Sequence, residues 1–379
     1  MGEWSRTTLG EVLALEYGKA LPERVRDGKG SPVLGSNGVV GYHSAPLVSG
    51  PGIVVGRKGT AGSVRRVDSD FFPIDTTYFV RLRDTTATSM GFAAHMLVTA
   101  DLPGICAQTG VPGLNRDRAY ELPVLLPPLP AQRRIVDVMS AVDAQIEALD
   151  SELGSTDSFL VALRRQTFEQ AQASSTTADE MFDMLLGRQK SERQSVGDHV
   201  IPYLRAANIG DYGLKLVDVQ TMNFDPAEQV KYCLRAGDVL VVEGGSVGIA
   251  VRWTGEIEGP VGFDKHVIRF RASTGRSISE YALQWAKWSR ETGAFDRQAT
   301  GITIRALGFG RASAMEVPDL SVAVQDKLMT PLAALEVIRE RLIAELGALR
   351  AFRSSLLTAL LSQAITIPEA YDALLEVAA

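Results

Sequence analysis

The feature that most constrains this chain is a regularly spaced series of residues between positions 135 and 167, all apolar except two threonines. The distance along the sequence from one member to the next alternates between four and three residues. This spacing is typical of a coiled-coil seam, whereas a globular helix has a wider apolar stripe. Pro130 can start a helix but cannot continue one. We therefore predict a helix over residues 131–173, and about 40 helical residues span roughly 60 Å. The seam is Ile135, Met139, Val142, Ile146, Leu149, Leu153, Thr156, Leu160, Leu163 and Thr167.

A second apolar series predicts another long helix over residues 321–363, with a less strict register. Thr330-Pro331 indicates a restart or kink near its beginning, because proline lacks the amide donor. Two helices with one seam each should pack together, and the globular segment between them, residues 174–320, lets the chain return so that they pair antiparallel. The second seam is Leu335, Ile338, Leu342, Leu346, Leu349, Phe352, Leu356 and Leu360.

Bulk properties place the chain among ordinary globular proteins. Its 379 residues exceed one core and favour two domains. No apolar run approaches the roughly 18 residues of a membrane span, and no secretory signal opens the sequence, so we expect a cytoplasmic protein without a membrane partner. Two cysteines and four histidines show no metal-ligand spacing, and the net charge of −6 still permits a local basic face for nucleic acid.

The segments ahead of the two helices resemble each other. "IVVGRKGTAGSV" at 53–64 and "VLVVEGGSVGIAV" at 239–251 both predict a buried strand, a glycine-rich turn and another strand. Further matches join 31–38 to 201–210, 73–82 to 262–270, 107–117 to 297–307, and 125–135 to 317–328. Five matches in one order, each series ending in a long helix, predict a duplicated unit.

Several stretches together resemble the specificity subunit of type I restriction-modification systems. They are "LPPL" at 126–129, "QRRI" at 132–135, "YLRAANI" at 203–209 and "LRAFRSSLLTALLSQAITIP" at 349–368. The resemblance implies an α+β fold, with two β-rich target-recognition domains in tandem repeat, separated and joined by two long antiparallel coiled-coil helices. The domains would cover residues 1–130 and 174–320, and a tail would cover 364–379.

The resemblance also implies a function. The chain would read a bipartite site on double-stranded DNA and bind two modification (methyltransferase) subunits and the restriction/translocase subunits. It would be no enzyme and hold no cofactor or metal itself; S-adenosylmethionine, ATP and Mg would belong to the partners. A spacer of roughly 60 Å would favour half-sites more than one helical turn apart.

Candidate DNA contacts are polar and basic residues on the duplicated loops, since lysine and arginine bind phosphates while arginine, asparagine and threonine read base edges. Glu243 stands where Arg57 aligns, so the two domains should read different sequences. Asn37 and Asn208 fit turns equally well, and Arg57-Lys58 fits a solvated hairpin. The candidates are Asn37, His43, Arg57, Lys58, Thr109 and Asn115, then Arg205, Asn208, Arg297, Thr300, Thr303 and Arg305.

Partner docking is expected at the heads of the helices, at Gln132, Arg133, Arg134 and Gln325. Arg133, Arg134, Arg164 and Arg165 fall off the seam, where solvation is the commoner fate of a charge. The second copy departs from the first. Pro318-Asp319-Leu320 replaces the double proline, and Gln325 lies two residues further from its leucine than Gln132 lies from Leu129.

Three other functions stay open at the level of sequence. One is the recognition subunit of a type II-like system whose partner both cuts and methylates. Another is a non-enzymatic coiled-coil scaffold that binds protein, which the net acidity mildly favours. The weakest is a nucleotide enzyme, because "GRKGTAG" lacks the residue order of a phosphate-binding loop and we find no catalytic signature.

Overall fold

A computed structural model describes residues 4–106, 113–171, 174–189, 196–301 and 305–373. The chain divides into two compact units. The first comprises Met1–Ala148 and Gly347–Ala379, and the second comprises Leu149–Leu346. Each unit is therefore built from a globular domain and from parts of the two long helices.

The first half of the chain alternates short strands with helices and ends in a very long helix. Its elements are β1 (Ser5–Thr8), α1 (Leu9–Val12), β2 (Leu13–Tyr17), β3 (Ser31–Gly35), β4 (Gly38–His43), β5 (Gly52–Gly56), β6 (Val64–Val67), β7 (Phe72–Pro73), β8 (Thr77–Leu82), α2 (Met90–Thr99), α3 (Arg116–Tyr120), β9 (Pro123–Leu126) and α4 (Leu129–Glu169).

The second half repeats this order with insertions. Its elements are β10 (Ser175–Thr177), α5 (Ala178–Met181), β11 (Phe182–Leu186), β12 (Val200–Leu204), β13 (Ile209–Gly210), β14 (Gly213–Leu214), β15 (Gln220–Asn223), α6 (Pro226–Tyr232), β16 (Val239–Val242), β17 (Ala250–Arg252), β18 (Gly262–Phe263), β19 (Val267–Ala272), α7 (Ser279–Glu291), α8 (Ala294–Gln298), α9 (Phe309–Ser313), β20 (Glu316–Pro318) and α10 (Val322–Leu361).

The sheets of the two units have matching topologies. The main sheet has the order β2-β8-β5-β6 in the first unit and β11-β19-β16-β17 in the second. A smaller sheet follows the order β4-β3-β7 and then β15-β12-β18, and β1-β9 corresponds to β10-β20. Both smaller sheets combine an antiparallel pair with a parallel one. This agreement confirms the α+β class and the two β-rich domains.

One inner strand of each main sheet, β5 in the first and β16 in the second, is buried on both faces. In β5, Ile53 and Val55 join the core with α2 while Val54 faces a second cluster around Phe71, as the two-residue period of a strand requires. In β16, Val239 likewise faces the core that contains α7, while Leu240 faces a second cluster on the other side of the sheet. Burial on both faces explains why these strands read as continuous apolar runs.

The helices complete each core in an antiparallel arrangement. In the first unit, Ile135 and Met139 of α4 share a core with Leu357 and Leu360 of α10. In the second unit, the other ends of the helices meet through Leu160 and Phe168 of α4 with Met329 and Leu332 of α10. Each predicted seam position of α4 is buried or partly buried, so the heptad prediction is confirmed for this helix.

The seam predicted for α10 is wrong at two positions. Ile338 and Phe352 are 44% and 53% exposed, while their neighbours Arg339 and Arg353 are partly buried. Placing the arginines in the seam restores alternating steps of four and three. Each arginine pairs with an aspartate of α4 in its own unit: Arg353 Nη2 donates to Asp143 at 2.8 Å, and Arg339 Nε donates to Asp157 at 2.5 Å. Polar residues at such positions specify register.

Pro331 lies inside α10, which runs unbroken from Val322 to Leu361, so of the restart or kink that the sequence indicated the restart is wrong. Met329 and Leu332 on either side are buried in the core of the second unit. Burial of these side chains outweighs the one backbone hydrogen bond that proline removes.

Two arginines that the sequence left between partner contact and the commoner solvated state, Arg134 and Arg164, are buried. Arg134 Nη1 donates to Asp372 Oδ2 at 2.8 Å in the first unit. In the second unit, Arg164 donates to Gln284 at 2.7 Å, to Glu336 at 2.9 Å and to Glu291. Carboxylates from distant parts of the sequence therefore offset the free-energy cost of burying both guanidinium groups.

Candidate nucleic-acid interface

The loop after β5 carries Arg57 and Lys58 on a backbone that is held from two sides. The amides of both residues donate to the carbonyl oxygen of Thr76, at 2.9 and 3.1 Å, and Leu114 donates its amide to the Arg57 carbonyl at 2.9 Å. Gly59 takes a φ of +77°, a conformation open to glycine at little steric cost. The loop therefore presents two cations from a fixed backbone.

Tyr17, at the end of β2, lies against one cation of this loop, Arg57, and one of α3, Arg116. The guanidinium carbons of Arg57 and Arg116 lie 4.9 and 4.8 Å from the centroid of the Tyr17 ring. Such a contact contributes about 0.5–1 kcal/mol at an exposed site. Arg57 also donates Nη1 to the Asp75 carbonyl at 2.8 Å. With Lys58, these side chains line a concavity of about 360 Å³ that suits an anion or a base edge.

A second tyrosine supports this concavity from below. The rings of Tyr17 and Tyr78 are 5.1 Å apart, and the Tyr78 hydroxyl donates to the Leu114 carbonyl at 3.2 Å. Burial, followed by the neighbouring Tyr17, raises the pKa of Tyr78 to about 12. Tyr78 therefore stays a neutral hydrogen-bond donor near neutral pH. Sequence reasoning missed Tyr17 and Arg116, because the strand pairing that joins β2 to β8 and β5 leaves no local signal.

The other candidates of the first unit lie at different distances from this loop. The Ser63 hydroxyl donates to the Ser36 carbonyl at 2.9 Å, which ties the exposed turn of Asn37 to the Arg57 loop. Asn115 is exposed, but its Oδ1 caps α3 by accepting two amides at 2.8 and 3.2 Å. His43 lies at the far end of β4, where its Nδ1 is 3.6 Å from Asp27 Oδ1. The structure thus brings Asn37, Arg57, Lys58 and Asn115 close to this loop and places His43 apart from them.

Glu243 takes the place of Arg57 in the second unit. Its amide donates to the His266 carbonyl and its carbonyl accepts from the Leu307 amide, both at 2.8 Å, which matches the bonds of Arg57. The Glu243 carboxylate accepts from the Gly308 amide at 3.2 Å. Equivalent backbones therefore present opposite charges at this position.

The cations of the second unit lie on the segment that follows α7. Arg297 donates to the Thr292 carbonyl at 2.9 Å, and Arg305 donates to the carbonyls of Asp296 and Ala299. Arg311, which sequence reasoning missed, donates to the Thr300 hydroxyl at 2.8 Å. These contacts bring the predicted Arg297, Thr300 and Arg305 together. The Gly245 amide donates to the Arg305 carbonyl at 2.9 Å, which sets the segment beside the Glu243 loop.

The two remaining candidates of the second unit have internal roles. Asn208 is only 2% exposed, donates to the carbonyls of Lys215 and Asp218 at 2.8 and 3.0 Å, and accepts from the Arg205 amide at 3.0 Å. This is the turn use of asparagine, and it does not fit base reading. Arg205 is paired with Asp218 at 2.8 Å. Thr109 and Thr303 lie outside the described residues.

Gln132 and Gln325 perform the same structural task in the two units. Gln132 accepts from the Ser89 amide at 2.9 Å and donates to the carbonyls of Ala87 and Pro127 at 2.8 and 2.9 Å. Gln325 accepts from the Ile278 amide at 3.0 Å and donates to the carbonyls of Arg276 and Leu320, at 2.9 and 2.8 Å.

The positions of these glutamines correct two expectations. Both side chains are completely buried, so they do not fit contact with a partner. Gln132 bonds the carbonyl five residues before it and Gln325 does the same, so Leu320 corresponds to Pro127 and the offset of two residues inferred from the sequence is wrong. Of the other docking candidates, Arg133 is exposed and Arg134 is held by Asp372.

The residues that the structure describes contain neither a membrane-spanning helix nor a cluster of metal ligands. None of their helices is long and apolar enough to cross a membrane. No group of three or more histidine, cysteine, aspartate or glutamate side chains within them could hold a metal ion.

Comparisons with known proteins point to one family. Residues 1–153 match the family model of the type I restriction modification DNA specificity domain. Over 147 residues the chain is 26% identical to the type I restriction enzyme EcoprrI specificity subunit of Escherichia coli. That match covers 37% of this chain and 36% of the relative, so the alignment spans about a third of the relative's length.

Two solved structures share the fold across nearly the whole chain. The S subunit of a type I restriction-modification system from M. genitalium has a TM-score of 0.64 at 18% identity, covering 94% of this chain and 96% of that one. A chain from a structure on complex assembly and conformational transition of the type I R-M system has a TM-score of 0.55 at 14% identity, with 95% and 98% covered. At such identities the likeness establishes the fold.

Proposed function

We propose that this chain, whose residues 1–153 carry a type I restriction modification DNA specificity domain, is the DNA-reading subunit of such a system. It would recognise a bipartite target on double-stranded DNA, one half through each β-rich domain, and catalyse no reaction itself. Two modification subunits would supply S-adenosylmethionine chemistry, and restriction/translocase subunits would supply ATP- and Mg-dependent cleavage. The expectation that the half-sites lie more than one helical turn apart stays a prediction.

One observation carries this proposal: two copies of one fold present unlike side chains on equivalent backbone. Arg57 and Glu243 make the same backbone hydrogen bonds, yet one offers a guanidinium and the other a carboxylate. Arginine pairs with the acceptor edge of guanine, whereas a carboxylate accepts from an exocyclic amine such as that of cytosine. A pair of readers with different loops suits a target whose halves differ in sequence.

The test is the pattern of modified bases in a cell that produces this chain with its modification subunit. Sequencing with detection of modified adenines should reveal a split motif that is absent without the chain. Arg57→Gln should relax one half of the motif and Glu243→Gln the other, because a good base contact contributes about 1–3 kcal/mol of discrimination. Loss of both halves in either variant, or the lack of any motif with the wild-type chain, would contradict the proposal.

Salt dependence provides an independent check. Binding of the purified complex to its target should fall steeply between about 50 and 200 mM salt, because each phosphate contact releases counterions. A purely protein-binding scaffold predicts no such dependence. If purification instead yields one partner chain that both cuts and methylates, the type II-like alternative is correct.

A further inference from the structure

The hairpin formed by β3 and β4 in the first unit contains a β-bulge. The partner of Val33 is Gly41. The next residue, Leu34, pairs with Val39, so Val40 is the extra residue of the bulge. The strand that carries it is the edge of its sheet, whose order is β4-β3-β7. Bulges are frequent at sheet edges and near functional sites, where they re-aim a side chain. The side chain that this bulge re-aims is 41% exposed.

Arg26 holds the backbone of the bulge. Its Nη1 donates to the Val40 carbonyl at 2.7 Å, while Nε and Nη2 donate to the Leu21 carbonyl at 3.1 and 3.0 Å. The stem of Arg26 lies against β4, because a Cβ added to Gly41 would be 3.1 Å from Arg26 Cδ. A planar guanidinium bonded through three nitrogens is a rigid support. The position of Val40 is therefore fixed before anything binds.

Glycines surround Val40 in this hairpin. Gly38 and Gly41 lie on the same strand, and Gly35 pairs with Gly38 across the hairpin. A Cβ added to Gly35 would lie 3.2 Å from Val40 Cγ1, which is closer than an ordinary contact between carbon atoms. Because these positions have no side chains, the methyl groups of Val40 are accessible. The hairpin thus presents one small aliphatic group on an otherwise bare backbone.

The bulge lies beside the loop that carries Arg57. The same Cβ position on Gly35 is 3.8 Å from Thr76 Oγ1, so Val40 and Thr76 flank one point above the hairpin. The Thr76 carbonyl is the group that accepts the amides of Arg57 and Lys58. Val40 is therefore continuous with the candidate nucleic-acid interface of the first unit.

The charges around the hairpin favour DNA as the molecule that covers Val40. Arg65 of β6 reaches over the hairpin turn, where its Nη2 would be 3.3 Å from a Cβ on Gly38. Arg65 and Lys58 are both exposed, and cations at such places bind phosphates and position a duplex. A protein partner is less well matched, because valine is under-represented among the residues that anchor protein interfaces.

We propose that Val40 reads a thymine in the half-site of the first domain, and that Arg26 positions it. The apolar group that base pairs expose in the major groove is the C5 methyl of thymine, and an aliphatic side chain recognises it by contact. This assignment rests on the proposed function and deepens it. It adds an apolar determinant beside Arg57, whose guanidinium suits an acceptor edge such as that of guanine.

Deoxyuridine tests the assignment, because it differs from thymidine only in lacking the C5 methyl. The probe is the target duplex found by sequencing of modified bases, with deoxyuridine placed in turn at each thymine of the half that depends on Arg57. At one position the wild-type complex with its modification subunits should bind about 4-fold more weakly, which is the loss expected for one buried methyl group.

Two variants and a control complete the experiment. Val40→Ala should bind the unmodified target about 4-fold more weakly or worse, and deoxyuridine at that position should then have no effect. Arg26→Lys should also reduce the deoxyuridine effect, because an ammonium group cannot reproduce the fork that bonds both carbonyls. Val98→Ala is the matched control, since Val98 is 53% exposed on α2 of the same unit; it should retain both the affinity and the deoxyuridine effect.

Several results would overturn the inference alone while the complex still binds its split target. They are a half-site without thymine, no deoxyuridine effect at any position, an undiminished effect in Val40→Ala, or an equal loss from Val98→Ala. Release of a modification subunit by Val40→Ala in native mass spectrometry would also overturn it, because the valine would then bind protein. A wild-type complex without any preferred DNA sequence would refute the proposed function and this inference together.

Discussion

Replacing either buried glutamine should loosen one unit and leave the other intact. Gln132 joins the start of α4 to the residue that caps α2, and Gln325 joins the start of α10 to the residue that caps α7. Each glutamine is fully buried and makes three hydrogen bonds to backbone groups. The variants Gln132→Ala and Gln325→Ala therefore form a matched pair.

The magnitude follows from those bonds. A net contribution of about 1 kcal/mol for each of three hydrogen bonds gives a loss of about 3 kcal/mol. A loss of this size corresponds to roughly a 100-fold change in an opening equilibrium. It should be local, because the three partner groups of each glutamine all belong to its own unit.

Amide hydrogen exchange read by mass spectrometry resolves the two units. Gln132→Ala should reduce the protection of α2, residues 90–99, by about 100-fold and leave α7, residues 279–291, unchanged; Gln325→Ala should do the reverse. Equal effects on both helices in either variant, or less than a tenfold change in the expected helix, would refute the reasoning. The first outcome would mean that the units do not open independently, and the second that water replaces the glutamine.

Three further predictions concern single side chains. Burial, followed by the nearby Arg353, lowers the pKa of His95 from 6.5 to about 4. Because the unfolded chain takes up the proton at a higher pH than the folded chain, urea unfolding should show the first unit losing up to about 3 kcal/mol of stability as the pH falls from 6.5 to 4. His95→Gln should remove this part of the dependence of unfolding free energy on pH. Tyr17→Leu, which introduces the residue found at the matching strand end Leu186, should weaken DNA binding in a filter assay about 5- to 30-fold by releasing two cation–π contacts, whereas Tyr17→Phe should not. Arg164→Met should lower the unfolding free energy of the second unit by about 3 kcal/mol, because Glu291 and Glu336 lose a buried partner; an unchanged urea midpoint would contradict this reading.

The parts of the fold that the sequence predicted depend on local periodicity. The seam of α4 is almost wholly apolar, so its steps identify both the helix and its buried face. In α10 the seam contains Arg339 and Arg353, and a search for apolar residues selected the adjacent Ile338 and Phe352 instead. The arginines belong there because Asp143 and Asp157 meet them from α4. Those partners lie far away in the sequence, so no local pattern predicts them.

The same limit applies to the candidate DNA surface. Arg57 was recognisable because a glycine-rich turn repeats, and its counterpart Glu243 followed from the alignment. Tyr17 and Arg116 reach Arg57 only through strand pairing and the segment after residue 113, so their roles required coordinates. The misplaced exposed residue Phe352 is itself informative. It lies one residue before the seam position Arg353 and is 53% exposed, so its apolar character alone could not tell it apart from a seam residue.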